Sequence, residues 1–331
     1  HTATVTEIQG EKAENYKLPD NPTASFTIVK ADAKFTPPTA RTGLIYDGEA
    51  QNLIDSGSSA DGTFNYWLDG EQPSTDIPQA KDAGTYTVHY QLKGDKNHEN
   101  GTAGKIDVEI APKDITDATV TLGESLTYNG QQQTQRIASV KVDGLDVICD
   151  VTDNTGTNAG TYTMTLTGKV NFTGTATKNW NIAPKDITGA SVTLKEGTQT
   201  YTGQKLTNDV TGVTIDNLTL GKGDYTVSGN KEATNVGTYY LTVTGTGNFT
   251  GSAPETWEIR AATDNDWTVK PKVTSCTYGE KPTVTMGRAK FGTDTETVEY
   301  FKDGKSLGND VPTNAGDYQA VFTVAETGNY N

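Results

Sequence analysis

The side chains that could do chemistry are three histidines (His1, His89, His98), two cysteines (Cys149, Cys276) and 42 carboxylates set against 27 lysines and arginines. Catalysis needs titratable groups that converge on one place, and no pattern here gathers them. The chain contains no G-x-S-x-G elbow, no H-E-x-x-H, no phosphate-binding loop and no C-x-x-C. Its carboxylate pairs are those of any acidic protein, and nothing in their spacing sets two of them across a sugar. The chain therefore reads as non-catalytic and without a cofactor. For a metal, Asp146, Asp150 and Asp153 cluster, as do Asp264 and Asp266. Oxygen-rich loops can hold calcium, but no D-x-D-x-D-G run with a downstream Glu is present, so these residues read as solvated turn carboxylates, with Ca²⁺ as the alternative.

Charge and hydropathy narrow the partners. The formal net charge is −15, so nothing would neutralise the phosphates of DNA, RNA or an anionic membrane. No run approaches the 18 or so apolar residues that a membrane-crossing helix needs. Aromatic rings are the remaining candidates for recognition, because sugars stack on exposed ring faces. Trp67 falls where an inner core strand would run. Trp180 and Trp257 precede Ile182 and Ile259 at matching places and read as structural. Trp267 follows Thr263-Asp264-Asn265-Asp266 and is the candidate for an exposed, ligand-binding ring.

What elements would position these groups? Thr, Val, Ile and Tyr recur in short alternating runs bounded by Gly, Asn and Asp, as in Thr161-Tyr162-Thr163-Met164-Thr165-Leu166 and Tyr239-Tyr240-Leu241-Thr242-Val243. Alternation with period 2 gives a strand one buried and one wet face. The chain is expected to be all-β. Three markers recur along it. The first is a Tyr-x-Gly turn at Tyr46, Tyr128 and Tyr201, contracted to Tyr278-Gly279. The second is Asp/Asn-x-Gly-x-Tyr, running from Asp82, Asn158, Asn235 and Asn314 to Tyr86, Tyr162, Tyr239 and Tyr318. The third is Asn before a ring, at Asn97-His98, Asn171-Phe172, Asn248-Phe249 and Asn329-Tyr330, with a further copy at Asn15-Tyr16.

A shared period of this kind is the mark of tandem repeats. Repeats fall at 33–112 (repeat 1), 113–184 (repeat 2), 185–261 (repeat 3) and 262–331 (repeat 4). The last stops after its third marker and lacks its last strand. Residues 1–32 match only the end of a repeat, with Thr2 to Ile8 and Ser25 to Lys30 as its final two strands. The chain thus reads as cut in register from a longer array, and strand addition within or between molecules could complete a repeat. Each repeat has the strand number and lengths of an immunoglobulin-like β-sandwich, and the short junctions imply an elongated, monomeric rod. Tyr86, Tyr162, Tyr239 and Tyr318 stand where such sandwiches carry a tyrosine corner, a hydroxyl returned to upstream backbone. Two residues on lie Val88, Met164, Leu241 and Ala320, apolar where antibody domains carry a disulfide. Cys149 and Cys276 fall in different repeats, which excludes an intradomain bridge, and buried unpaired thiols are expected. The Asn-ring loops are placed as loop tips, with a turn requirement or packing between repeats as the expected reason for their sameness.

Three repeats resemble the bacterial immunoglobulin-like surface repeats known as MBG domains, through the Tyr-x-Gly turn, the Ala/Val-Gly-Thr-Tyr segment and the Asn-Phe-Thr-Gly loop. Repeat 1 departs at Asn97-His98, and repeat 4 matches less well. The resemblance implies a secreted or wall-attached protein of a bacterium, of Gram-positive type, at the cell surface. It implies a non-catalytic stalk or adhesin segment. A module that itself binds host glycans or extracellular host proteins is the first alternative, and ancillary domains of a secreted polysaccharide-degrading enzyme are the second. A Lys–Asn isopeptide crosslink of the kind found in similar stalk folds has no diagnostic motif here.

Overall fold

The computed structural model describes residues 2–4, 7, 9–17, 23–292 and 295–330. Among them the chain is all-β, and its one short helical element is a 3₁₀ turn at Ala13–Asn15. No helix is long and apolar enough to cross a membrane. The chain packs into two compact bodies. The first comprises His1–Glu124, Gln135–Asn154 and Tyr162–Trp180. The second comprises Ser125–Thr134, Thr155–Thr161 and Asn181–Asn331.

In the first body, repeat 1 builds a four-stranded sheet in the order Leu44–Ile45, Gly104–Ala111, Gly84–Gly94, Gly62–Leu68. The strand before the Tyr-x-Gly turn joins the last strand in parallel, and the other pairings are antiparallel. The period-2 pattern decides what each face does. In Gly62–Leu68, Phe64 and Tyr66 point inward to Leu53, Ile54, Val88, Leu92, Val108 and Ile110, all buried. Each such apolar side chain contributes roughly 1.5–3 kcal/mol when removed from water. Trp67 is on the opposite phase. It is half-buried and stacks against His89 across the strand pair, at 5.6 Å and 13°. The expectation that Trp67 packs in the core is therefore corrected: its neighbour Tyr66 holds the inward position, and alternation turns Trp67 out. The smaller pairs Thr39–Ala40 with Ile54–Asp55, and Gln51–Asn52 with Gln79–Ala80, complete the repeat.

In the second body, repeat 3 repeats the plan. Its sheet order is Thr198–Thr200, Ser252–Arg260, Gly237–Gly245, Tyr225–Gly229. A second sheet runs Ser191–Leu194, Val210–Ile215, Leu218–Thr219. Leu241, Val243, Trp257 and Ile259 fill the space between them. Trp257 is 1% exposed, and its indole N–H donates to Asn230 O at 2.8 Å, so burial leaves no polar atom unpaired. Trp180 is treated alike in the first body, donating to Asp153 O at 3.2 Å and stacking on Tyr162 at 4.6 Å. Repeat 4 has three strands in its main sheet, ordered Lys305–Gly308, Glu296–Lys302, Gln319–Val324.

Several marker tyrosines tie down the start of their strands. The Tyr86 hydroxyl donates to Asp82 O at 2.8 Å, Tyr239 to Asn235 O at 2.6 Å and Tyr318 to Asn314 O at 3.0 Å. Val88, Met164 and Leu241 are fully buried two residues on. The cysteines differ from expectation: both are free, but Cys149 is only half-buried and Cys276 is exposed. Near the N-terminus, Thr2–Thr4 pairs antiparallel with Thr23–Ser25. Residues 5, 6 and 8 of the expected first strand lie outside the described residues, and 26–30 are exposed without regular pairing.

Truncating a fully buried aromatic costs about 3–5 kcal/mol. Trp257→Ala is expected to lose that much in denaturant unfolding of the second body. Tyr239→Phe, which deletes one hydroxyl bond, is expected to lose only about 1 kcal/mol.

Candidate functional site

The three sequence markers meet in space. Asn171 of repeat 2 sends its side chain onto the turn of repeat 1. Its Oδ1 accepts from Ala83 N at 2.9 Å, and its Nδ2 donates to Asp82 Oδ1 at 2.9 Å. The following ring, Phe172, meets Tyr46 edge-on at 5.4 Å and 78°. In the second body, Asn248 does the same to Ala159 N (2.7 Å) and Asn158 Oδ1 (3.2 Å), while Phe249 meets Tyr128 at 5.3 Å and 79°. Asn329 takes Val236 N (2.8 Å) and Asn235 Oδ1 (3.3 Å). There Tyr201 is met edge-on by Phe291 at 5.1 Å, with Tyr330 stacked on Phe291 at 5.7 Å.

Each Asn is aimed by its own backbone. The carbonyl of Asn97, Asn171, Asn248 and Asn329 accepts from the N–H of Ala31, Lys113, Lys185 and Ala262 respectively, at 2.9–3.0 Å. The first residues of a repeat thus pin its own Asn-ring loop, which in turn caps the repeat before it. An amide side chain suits the task because it offers an acceptor and a donor together. A buried turn N–H left without such an acceptor would cost about 1–3 kcal/mol.

The glycine of Tyr-x-Gly belongs to the same contact. Gly48 and Gly130 have φ of +83° and +77°, and a Cβ on either would come within 2.8 and 3.0 Å of Leu145 and Leu218, the apolar residues that cover those turns. A second glycine closes the loop from behind. In Asn-Phe-Thr-Gly, Gly174 and Gly251 have φ near +80°, and a Cβ there would strike the carboxylates of Asp114 and Asp186. These two Asp open the Asp-Ile-Thr segments and accept from the N–H and hydroxyl of Thr116 and Thr188 at 2.7–2.9 Å. The Thr116 hydroxyl and N–H hold the Asp114 carboxyl below its usual range, and the Thr188 N–H and hydroxyl do the same for Asp186.

The sequence candidates for chemistry stay apart. Asp146, Asp150 and Asp264 each pair with a lysine, Lys141, Lys169 and Lys290. Among the described residues no three His, Cys, Asp or Glu come together to hold a metal. His98 sits between Asp95 at 2.8 Å and Asp61 at 3.6 Å. Trp267 is half-buried, its ring packed over Gly287, where a Cβ would come within 2.6 Å of it. The surface group that sequence reasoning missed is Trp67 with His89 and Asp69, whose Oδ1 lies 2.7 Å from His89 Nε2. The signal was available in the alternation of Tyr66 and Trp67.

Fold and junction define a protein of tandem all-β sandwich repeats, each capped by a loop of the next. Residues 118–186 and 190–263 match the MBG domain family, and these two segments are MBG domains in tandem. They lie a few residues C-terminal of repeats 2 and 3 as read from the sequence. No curated protein matches the chain. Solved structures with some likeness include protocadherin gammaB7 EC3-6 (11% identity, 87% of this chain and 95% of that one, TM-score 0.25). Sidekick-1 immunoglobulin domains 1-5 give 15% identity, 83% and 70% coverage and a TM-score of 0.24. A Bacteroides ovatus SGBP-B in complex with a mixed-linkage heptasaccharide gives 13%, 88% and 92%, and 0.18. At such TM-scores the likeness bears on neither fold nor ligand.

Two outcomes are expected. Asn171→Ala leaves Ala83 N–H without its acceptor and should cost about 1–3 kcal/mol, read as a lower denaturant midpoint for the first body, while Asn171→Asp keeps the acceptor and loses less. A carboxyl held below its ordinary value of 3.8 in the folded state gives stability that is complete above 3.8 and is lost as pH falls through the lower folded value. Replacing Asp114 and Asp186 together by Asn should therefore flatten the fall in thermal midpoint below pH 3.8. An unchanged slope would refute the role given to these turns.

Proposed function

We propose that this segment is a non-catalytic spacer of an extracellular bacterial surface protein, which holds successive sandwich repeats in register and displays what they carry. The observation behind this reading is the use made of the loop tips. Loops on a rigid sandwich are where binding sites are usually built, and here Asn171, Asn248 and Asn329 with their rings are consumed in capping the neighbouring repeat. The formal charge of −15 keeps such a chain soluble and discourages pairing with nucleic acid or anionic lipid. Attachment to a cell wall and a Gram-positive source are part of this proposal and follow from the family resemblance alone.

A second reading, a glycan-binding module, has one specific observation in its favour. Trp67 and His89 form a half-exposed aromatic pair flanked by Asp69 on the outer face of repeat 1, and an aromatic platform with a carboxylate beside it suits a sugar ring.

The test is a screen of the whole chain against arrayed glycans and extracellular host proteins, run beside Trp67→Ala and Trp267→Ala variants. The spacer reading expects no saturable binding by any of the three. Saturable binding that disappears in Trp67→Ala would replace it with the binding-module reading.

A further inference from the structure

Repeat 4 contains a slot that repeats 1 and 3 fill. In those repeats the last strand lies between the tyrosine-corner strand and the strand before the Tyr-x-Gly turn. Gly104–Ala111 sits between Gly84–Gly94 and Leu44–Ile45, and Ser252–Arg260 between Gly237–Gly245 and Thr198–Thr200. In repeat 4 the strand Gln319–Val324 is an edge, with no described strand on the side away from Glu296–Lys302. A cavity of about 390 Å³ opens there, between Val273–Tyr278 on one wall and Tyr318 and Ala320 on the other. Tyr300 also lines it. Its side chain is buried, and its hydroxyl has no hydrogen-bond partner among the described residues. Tyr278, the repeat-4 counterpart of Tyr46 and Tyr128, is 76% exposed.

The same chain carries a strand of the matching pattern. In repeats 1, 2 and 3 the last buried Ile of the final strand (Ile110, Ile182, Ile259) stands three residues before the residue that bridges the Asn-ring loop (Lys113, Lys185, Ala262), or its equivalent. Ile28 stands three residues before Ala31, which forms the same parallel bridge to His98. Two residues before each Ile come Val108, Trp180 and Trp257, and before Ile28 comes Phe26. Yet Ile28 and Val29 are 70% and 79% exposed, which is unusual for the inward face of a final strand. Asn97 is exposed as well, and its carbonyl is already aimed by Ala31 N.

We infer that the slot in repeat 4 takes the segment Ala24–Val29 of a second copy of this chain. By the register of repeat 3, where Tyr239 faces Trp257 and Gly237 faces Ile259, Phe26 falls opposite Tyr318 and Ile28 opposite Gly316. By the register of repeat 1, where Ile110 faces Leu44, Ile28 also lies beside Cys276. Strand addition gives main-chain bonds on both edges and seats alternate side chains in the sandwich. The three-residue pairing of Thr23–Ser25 with Thr2–Thr4 is exchanged for the longer one. The following Ala31 then brings Asn97 to the turn at Asn314-Ala315, the counterpart of Asp82-Ala83, so that the contact between copies reproduces the junction within a chain. Such a contact is head-to-tail and does not close on itself, so it builds linear oligomers.

Sedimentation velocity of the whole chain over a wide concentration range tests this. The expected result is a monomer that gives way to a ladder of higher species as concentration rises. Ile28→Asp, a change at an exposed position that leaves the fold intact, should weaken the association at least tenfold. A synthetic peptide of residues 252–260, which carries the repeat-3 version of the strand, should bind the chain and cap the ladder. A monomer at every concentration would overturn the inference, as would association that neither Ile28→Asp nor the peptide affects.

Discussion

Everything in this protein depends on how one sandwich satisfies the exposed turn of the next. A tight turn presents backbone N–H groups that its own sheet cannot pair, and at each described junction an asparagine from the following repeat supplies the missing acceptor and finds a donor site in return. The contact is small, but each part holds another. The asparagine is fixed by the first residues of its repeat, its ring covers the Tyr-x-Gly turn, and the marker tyrosine ties the turn to its strand. Removing one part would leave the others with buried polar groups unmatched, a costlier state than never having made the contact.

This constraint explains why the repeats differ where they can and agree where they must. Sheet interiors tolerate exchange among apolar side chains of similar volume, and the positions two residues after the marker tyrosine hold Val88, Met164 and Leu241 without changing the plan. The junction tolerates less. A Tyr-x-Gly turn with any other residue at Gly48 would push Leu145 away and strain the backbone together. Repeat 1 carries His98 where repeats 2 and 3 carry Phe, and that ring has turned to Asp95 and Asp61 in place of a neighbour's tyrosine. Repeat 4 keeps the asparagine and adds Phe291 to cover Tyr201.

The function proposed rests on the same economy of surface. Loops that would be free to evolve a binding site are occupied, and the carboxylates that might have bound a metal face lysines. What is left at the surface is the outward phase of the sheets, where Trp67 and His89 lie, and the open edge in repeat 4.

Period-2 alternation and the spacing of the three markers determined the all-β class and the tandem order, because both are local properties of a pleated chain. They also pointed to Trp180 and Trp257 as structural, through equal positions in their repeats. Alternation alone could have turned Trp67 outward, since Tyr66 takes the inward phase. The sequence could not show why the markers exist, because Asn171 and Asp82 are 89 positions apart and meet only once two sandwiches are docked. Burial of the cysteines was likewise undetermined: a thiol reads the same in a core and on an edge, and it was the unfilled side of repeat 4 that left Cys276 exposed. Local pattern fixed each strand's two faces. Only the tertiary structure decided which loop each turn would need, because that choice depends on unpaired backbone groups that the docking of repeats creates.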